Sequence, residues 1–333
     1  MLVKCALIVF LVLQSAPVFA EEQPAFSRAL AAYEQRDLDK ALEYAREAVR
    51  KNPGHVDAQI LLGELCYLRQ DLTGAREAWQ KALQLAPGRT DVRERLKRLQ
   101  QESSVEQSLA RSDTRPFVLR FADGQIPIDL GSLRLMLRDT YRKVGQQLDY
   151  FPEHTITVIL YPEADFEKVK SLSHPVGGLY DGKIRLPLKP GRMTGGRLER
   201  ILWHEYTHAL VHDLGKGRCP LWLNEGIAQV QEARVQPVDV TLFRTAWKQK
   251  QLPAWDSLWN ATEYQAASMA VNYQTSYVIA QYLVKRWGWS ELVGLLQKLG
   301  QGYPMSDALK AQYKEEPAVI EQEWRSWLRR NPP

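Results

Sequence analysis

Cysteine is scarce: the chain has three in 333 residues, and Cys5 lies just before an apolar run at the start. Cys66 and Cys219 cannot build a disulfide framework between them. They fall in segments of different pattern, without metal-ligand spacing, and are expected as free thiols. Long apolar runs are equally rare. The run Ala6–Leu13 is far short of the about 20 residues that a spanning helix needs. With Lys4 before it and Pro17-Val18-Phe19-Ala20 after it, the start reads as a signal peptide over residues 1–20, which predicts export to the periplasm or the medium. No later segment reads as transmembrane. A dense basic block is also missing, because the 44 Lys and Arg are scattered among 39 Asp and Glu; this argues against nucleic acid as a partner. Histidine is scarce too, at six, so the placement of two of them four residues apart carries weight.

The segment after the leader repeats itself every 34 residues. Tyr33, Asp37, Leu38, Ala41, Ala48 and Pro53 recur as Tyr67, Asp71, Leu72, Ala75, Ala82 and Pro87. Small alanines at fixed offsets let antiparallel helices approach closely, and each proline ends a helix. With Gly63 and Trp79 in place, the segment resembles the tetratricopeptide repeat, which implies a protein partner. Residues 90–110 read as a third, charged helix capping the stack, so the expected array is 22–110. Two repeats and a cap make a short array, expected to lean on the next domain.

Near Arg111–Arg115 the helical period stops. Pro116–Phe121 alternates as a strand does, Leu130–Leu148 carries a helical apolar stripe, and Thr155–Leu160 is a second strand. Gly177–Leu188 reads as an edge hairpin turning at Asp181-Gly182, able to accept an extended peptide by strand addition. From Gly195 onward the strong periodicity is helical, and nine of the ten tryptophans lie from Trp203 onward. The expected class for 112–333 is α+β, a mixed sheet followed by helices, behind an all-α array.

Within the first of these helices, His204-Glu205-Tyr206-Thr207-His208 forms H-E-x-x-H. Spacing four puts both imidazoles on one face, one turn apart, where they can meet a single ion. Zinc then needs a third protein ligand and an open position for water. His212 lies about 12 Å along the axis from His204 and cannot share the ion with both. Glu225, in Leu223-Asn224-Glu225-Gly226, is the better candidate, because Gly215, Gly217 and Pro220 end the first helix and turn the chain.

The pair H-E-Y-T-H-A-L and P-L-W-L-N-E-G-I-A resembles the gluzincins, the thermolysin-like group. More closely it resembles bacterial proteins that join tetratricopeptide repeats to a peptidase-MA-like domain. The resemblance implies one zinc ion held by His204, His208 and Glu225, with Glu205 as general base. It also implies a tyrosine donor to the oxyanion, for which Tyr273 in Val271–Ser276 is the candidate and Tyr277 the fallback. Glu225 follows His208 by 17 residues, fewer than in better-known members, so the intervening loop is tighter. Aminopeptidases of the group carry a Gly-x-Met-Glu-Asn segment. The corresponding Val176–Asp181 lacks it, which favours an endopeptidase. The competing expectation is a repeat-based binding protein with a merely structural metal domain. Asp213 is a candidate to orient a ligand histidine, and His55, His154 and His174 read as loop residues.

Overall fold

The computed structural model of the chain describes residues 24–35, 37–124, 129–170, 182–188, 195–259, 264–265 and 268–331, without the side chains of 167–170 and 188. Four helices open it: α1 (Pro24–Glu34), α2 (Leu38–Lys51), α3 (Val56–Leu68) and α4 (Leu72–Leu85). They pair antiparallel through alanine. Ala25, Ala29, Ala41, Ala45, Ala48, Ala75 and Ala82 are fully buried, so the helix axes approach without larger side chains between them. The repeat also recurs in the caps. Asp37 accepts from Lys40 N–H at 3.3 Å to start α2, and Asp71 accepts from Gly74 N–H at 2.9 Å to start α4. His55, expected as a plain loop residue, caps α3 by accepting Ala58 N–H at 3.2 Å. Gly63 is glycine because the Trp79 ring lies where its Cβ would be, at 2.3 Å.

The fifth helix, α5 (Thr90–Gln107), has two faces at work. Val92 and Leu99 pack against Trp79 and cap the array. Glu102 and Glu106 are also buried, and they face the adjoining sheet. That sheet contains β1 (Ala110–Thr114), β2 (Phe117–Phe121), β3 (Ile156–Pro162) and β4 (Lys183–Leu188) in spatial order, with α6 (Leu130–Leu148) and α7 (Glu163–Lys170) between them in sequence. β1 runs antiparallel to β2, and β2, β3 and β4 run parallel, in register Leu119↔Val158↔Ile184. The mixed sheet is as expected, but β1 falls where the sequence showed only a break. β4 is an edge of the described sheet. The other arm of the expected hairpin lies outside the described residues, as do residues 1–23.

Strand alternation sorts the two faces. Phe117, Leu119, Phe121, Ile156, Val158, Leu160, Ile184 and Leu186 bury against α6 and α8 (Gly195–Gly215). Ile159 and Tyr161 point the other way, onto Leu109. The rest is helical: α9 (Leu221–Glu232), α10 (Thr241–Lys248), α11 (Trp255–Trp259), α12 (Met269–Trp287), α13 (Trp289–Gly300), α14 (Met305–Tyr313) and α15 (Pro317–Arg330). Trp222, Trp255 and Trp324 meet in this core, with neighbouring rings 6.3 and 5.5 Å apart, which accords with a core role for Trp255. No helix of the described residues is long and apolar enough to cross a membrane.

The outer face of β4 joins the sheet to α5 by charge. Lys183 Nζ lies 3.0 Å from Glu102 and 2.8 Å from Glu106, and Arg185 lies 2.6 Å from Glu102. Tyr67 and Tyr161 donate their hydroxyls to Glu102 and Glu106 at 2.7 and 2.8 Å. Burial alone would raise the Glu102 carboxyl. The charges of Arg185 and Lys183 and the Tyr67 hydroxyl overcome it and hold Glu102 down to about 2. Breaking a buried pair from one side strands the other charge, at about 3–5 kcal/mol. Lys183→Met is therefore expected to lower stability by about that much in urea unfolding. Because the folded pKa of Glu102 is depressed, its contribution is present above the ordinary value of 4.5 and fades as pH falls towards 2. A Glu102→Gln variant should lose less stability than the native chain across that window.

Candidate metal centre

His204 and His208 stand one turn apart on α8, with ring centroids 4.7 Å apart and ring planes at 88°. Pro220 precedes α9 and holds an extended φ of −66° at its N-terminal boundary, so that Glu225 enters from a second helix. Its carboxylate sits between the rings, with Oε2 3.5 Å from His204 Nε2 and Oε1 3.7 Å from His208 Nε2. All three donor atoms lie within 4.8 Å of one another. Ligands at about 2.0–2.1 Å from a tetrahedral zinc stand about 3.3 Å apart, so the spacing fits a shared ion better than direct hydrogen bonds. Two neutral imidazoles and a carboxylate also suit zinc chemically.

The far side of each ring is equally specified. His204 Nδ1 lies 2.9 Å from Glu232 Oε2, and His208 Nδ1 lies 2.9 Å from Asn224 Oδ1. A carboxylate and an amide oxygen only accept, so each Nδ1 carries the proton and each Nε2 turns its lone pair towards Glu225. Glu232 is in turn held by Arg200 Nη1 at 3.0 Å. Neither Glu232 nor Arg200 was a candidate from sequence. Glu232 follows Glu225 by seven residues, two turns along the same face, and Arg200 precedes His204 by four. That spacing is the signal that would have found them.

The electrostatics favour a buried positive charge. With no ion between the three donors, burial opposes a charged His204, but the facing carboxylates of Glu225 and Glu232 and the charge of Glu205 push it up to about 10. Glu225 answers in the opposite sense: burial would raise it, and His208 and His204 hold it below the usual carboxylate range. Glu205 is half-buried on α8 beside His204. Tyr273 stands near both carboxylates. Burial and the charges of Glu225 and Glu205 push its phenol up to about 12. The Tyr273 carbonyl accepts from Gln229 Nε2 at 3.1 Å, which ties the start of α12 to α9 one turn beyond Glu225.

Tyr277 is different. Only burial shifts its phenol, with no part played by Glu225 or Glu205, and its hydroxyl accepts from Gln281 at 3.1 Å, which accords with a core position. Asp213 reaches neither ligand histidine. Its carboxylate meets Tyr150 at 3.3 Å, His212 at 3.6 Å and His154 at 3.7 Å, away from the His204–His208–Glu225 cluster. His174 lies outside the described residues. Gly226 explains the glycine after Glu225: a Cβ there would stand 2.4 Å from Ser276 O and 2.9 Å from Ala280 Cβ, where α9 crosses α12.

Residues 184–330 match the Peptidase MA superfamily model, and residues 26–90 match the tetratricopeptide repeat model. No curated protein and no solved structure matches the chain.

Partners on the far side of ligand histidines typically matter about 10–100-fold in metal affinity. Asn224→Ala and Glu232→Gln should each weaken zinc binding within that range, read by competition with a chromophoric chelator. Gly226→Ala should cost about 1–3 kcal/mol in thermal or urea unfolding, because backbone, not a flexible side chain, occupies the space.

Proposed function

From a chain that joins a Peptidase MA superfamily domain to tetratricopeptide repeats, we propose a zinc-dependent, thermolysin-like endopeptidase acting on exported peptide or protein. The observation that carries this reading is the convergence of His204, His208 and Glu225, with Glu205 and Tyr273 beside them. His204 and His208 would hold the ion through Nε2 and Glu225 through its carboxylate. Zinc bound there would polarise the scissile carbonyl and lower the pKa of water to about 7.

The remaining work falls to the protein. Glu205 accepts the proton of the attacking water and delivers it to the leaving amine. Tyr273 keeps its own proton at neutral pH, because its phenol titrates near 12, and so it can donate to the carbonyl oxygen as charge develops there. Glu232 and Asn224 keep the ligand tautomers fixed throughout. The repeats bind a protein partner, as repeats of this type suggest, and residues 1–20 direct the chain to the periplasm or beyond. A structural zinc site closes its fourth position with protein. Among the described residues the cluster offers three donors, which supports a catalytic role over a scaffold one.

Three measurements test the proposal together. His204→Ala and Glu225→Ala should each lose the single zinc equivalent found in the native chain by metal analysis. Glu205→Gln should retain zinc and lose about 10²–10⁴-fold in turnover on any peptide the native enzyme cuts. Tyr273→Phe should lower kcat by about 10²-fold with little change in KM, whereas Tyr277→Phe should leave both unchanged.

A further inference from the structure

The short segment between α8 and α9 carries the chain from the second histidine to Glu225, and its path sets how the two helices meet. α8 closes with left-handed residues Lys216 (φ 48°) and Gly217 (φ 72°), the latter donating to His212 O at 2.9 Å. Pro220 then begins α9. Between them, Arg218 spends its guanidinium on three acceptors. Nη2 lies 2.7 Å from Asp37 Oδ2, Nε donates to Gln35 O at 2.9 Å, and Nη1 donates to Gly300 O. Gln35 and Asp37 belong to the turn between α1 and α2, and Gly300 ends α13. The side chain is only 14% exposed. Gly300 is itself pressed onto the end of α8, since a Cβ there would meet Leu214 O at 2.7 Å.

We propose that Arg218 is a positioning residue through which the first repeat controls the metal centre. The α1–α2 turn clamps the loop between His208 and Glu225. A protein partner that draws this turn away loosens the centre. The inference rests on the zinc-peptidase reading and adds a regulation to it. A planar guanidinium can serve three acceptors at once in a fixed fork, which a lysine ammonium cannot reproduce. Charge-assisted bonds of this kind are also the strong ones. α9 packs against α12 at Gly226 and against α8 along its other side, and the inter-ligand loop joins the last turn of α8 to the start of α9. If the loop samples other paths, only a fraction of molecules presents all three ligands together. The apparent Kd for zinc then rises by the inverse of that fraction. The array has a second, separate attachment at Glu102 and Glu106, so the α1–α2 turn can move while α5 stays in place.

The test uses the full chain with Arg218→Ala, Asp37→Asn and the double variant. Asparagine caps a helix as well as aspartate does, so Asp37→Asn keeps the start of α2 and removes only the charge facing Arg218. The readouts are zinc affinity by chelator competition and amide hydrogen exchange of residues 216–219. Arg218→Ala should weaken zinc about tenfold and speed exchange in the loop. Asp37→Asn should do both to a smaller extent, and should add nothing in the Arg218→Ala background. Lys40 also pairs with Asp37, at 3.1 Å, and Lys40→Ala should leave zinc affinity and loop exchange at native levels. Native affinity and native exchange in folded Arg218→Ala would overturn the proposal, as would additive effects in the double variant. If Arg218→Ala does not fold, Asp37→Asn alone decides by the same two readouts. If the native chain takes up no zinc, the peptidase reading falls, and loop exchange still decides the coupling.

Discussion

Glu225 is a carboxylate almost wholly removed from water, and the site is organised around that fact. Burying an unpaired charge is among the costliest things a fold can do. Here the charge faces two imidazole Nε2 atoms, which in turn require acceptors behind them. Asn224, the residue before Glu225, serves one, and Glu232, two turns on, serves the other. α9 thus supplies both the carboxylate and the groups that orient its partners. For one helix to do so it must lie close to α8 on one side and α12 on the other, and Gly226 is what removes the obstruction on the second side. That approach also brings Tyr273, at the start of α12, within the field of Glu225 and Glu205. The candidate ligand, its support and the candidate oxyanion donor follow from one buried negative charge.

The features readable from sequence are those whose cause is local. The alanines and aspartate caps at a 34-residue period, the stripe of α6, the alternation of β2 and β3, and two histidines one turn apart each announce themselves within a few residues. What escaped depends on partners far away in the chain. β1, Ala-Arg-Ser-Asp-Thr, has no apolar alternation because it is half-exposed and held by its register with β2. Glu232 resembles any solvent-facing acid near a helix end until α8 is placed beside it. By type and position on the metal helix, Asp213 is as fit to orient a ligand histidine. Lying beyond His208 on the same helix, however, it is carried round to Tyr150 and His154 instead.

The short array was expected to lean on the next domain, and α5 shows how it does so, through charges that the sequence marked only as those of a cap. In the structure Glu102 and Glu106 are interior residues, answered by Lys183 and Arg185 on β4 and by two tyrosine hydroxyls. A polar helix can be a core element when its charges are met one for one from the facing strand, and periodicity of apolar residues cannot reveal this. Leu109 continues the contact as apolar packing on Ile159 and Tyr161. The sheet is therefore covered on both faces, by α6 and α8 on one side and by the end of the repeat segment on the other.

This arrangement bears on how repeats and metal centre would communicate. The attachment at α5 is a buried network of several charges on regular elements, the kind of contact that stays closed. The attachment at Arg218 is one side chain reaching two carbonyls and a carboxylate on turns, and turns move at lower free-energy cost than packed elements. A segment anchored firmly at one end and lightly at the other behaves as a lever about the firm end. Its light end meets the chain between His208 and Glu225, where on the proposed coupling a small displacement would change the relation of α8 and α9. A partner bound along α1–α4 has no need to touch the site, since a displaced α1–α2 turn would release Arg218 from two of its three acceptors.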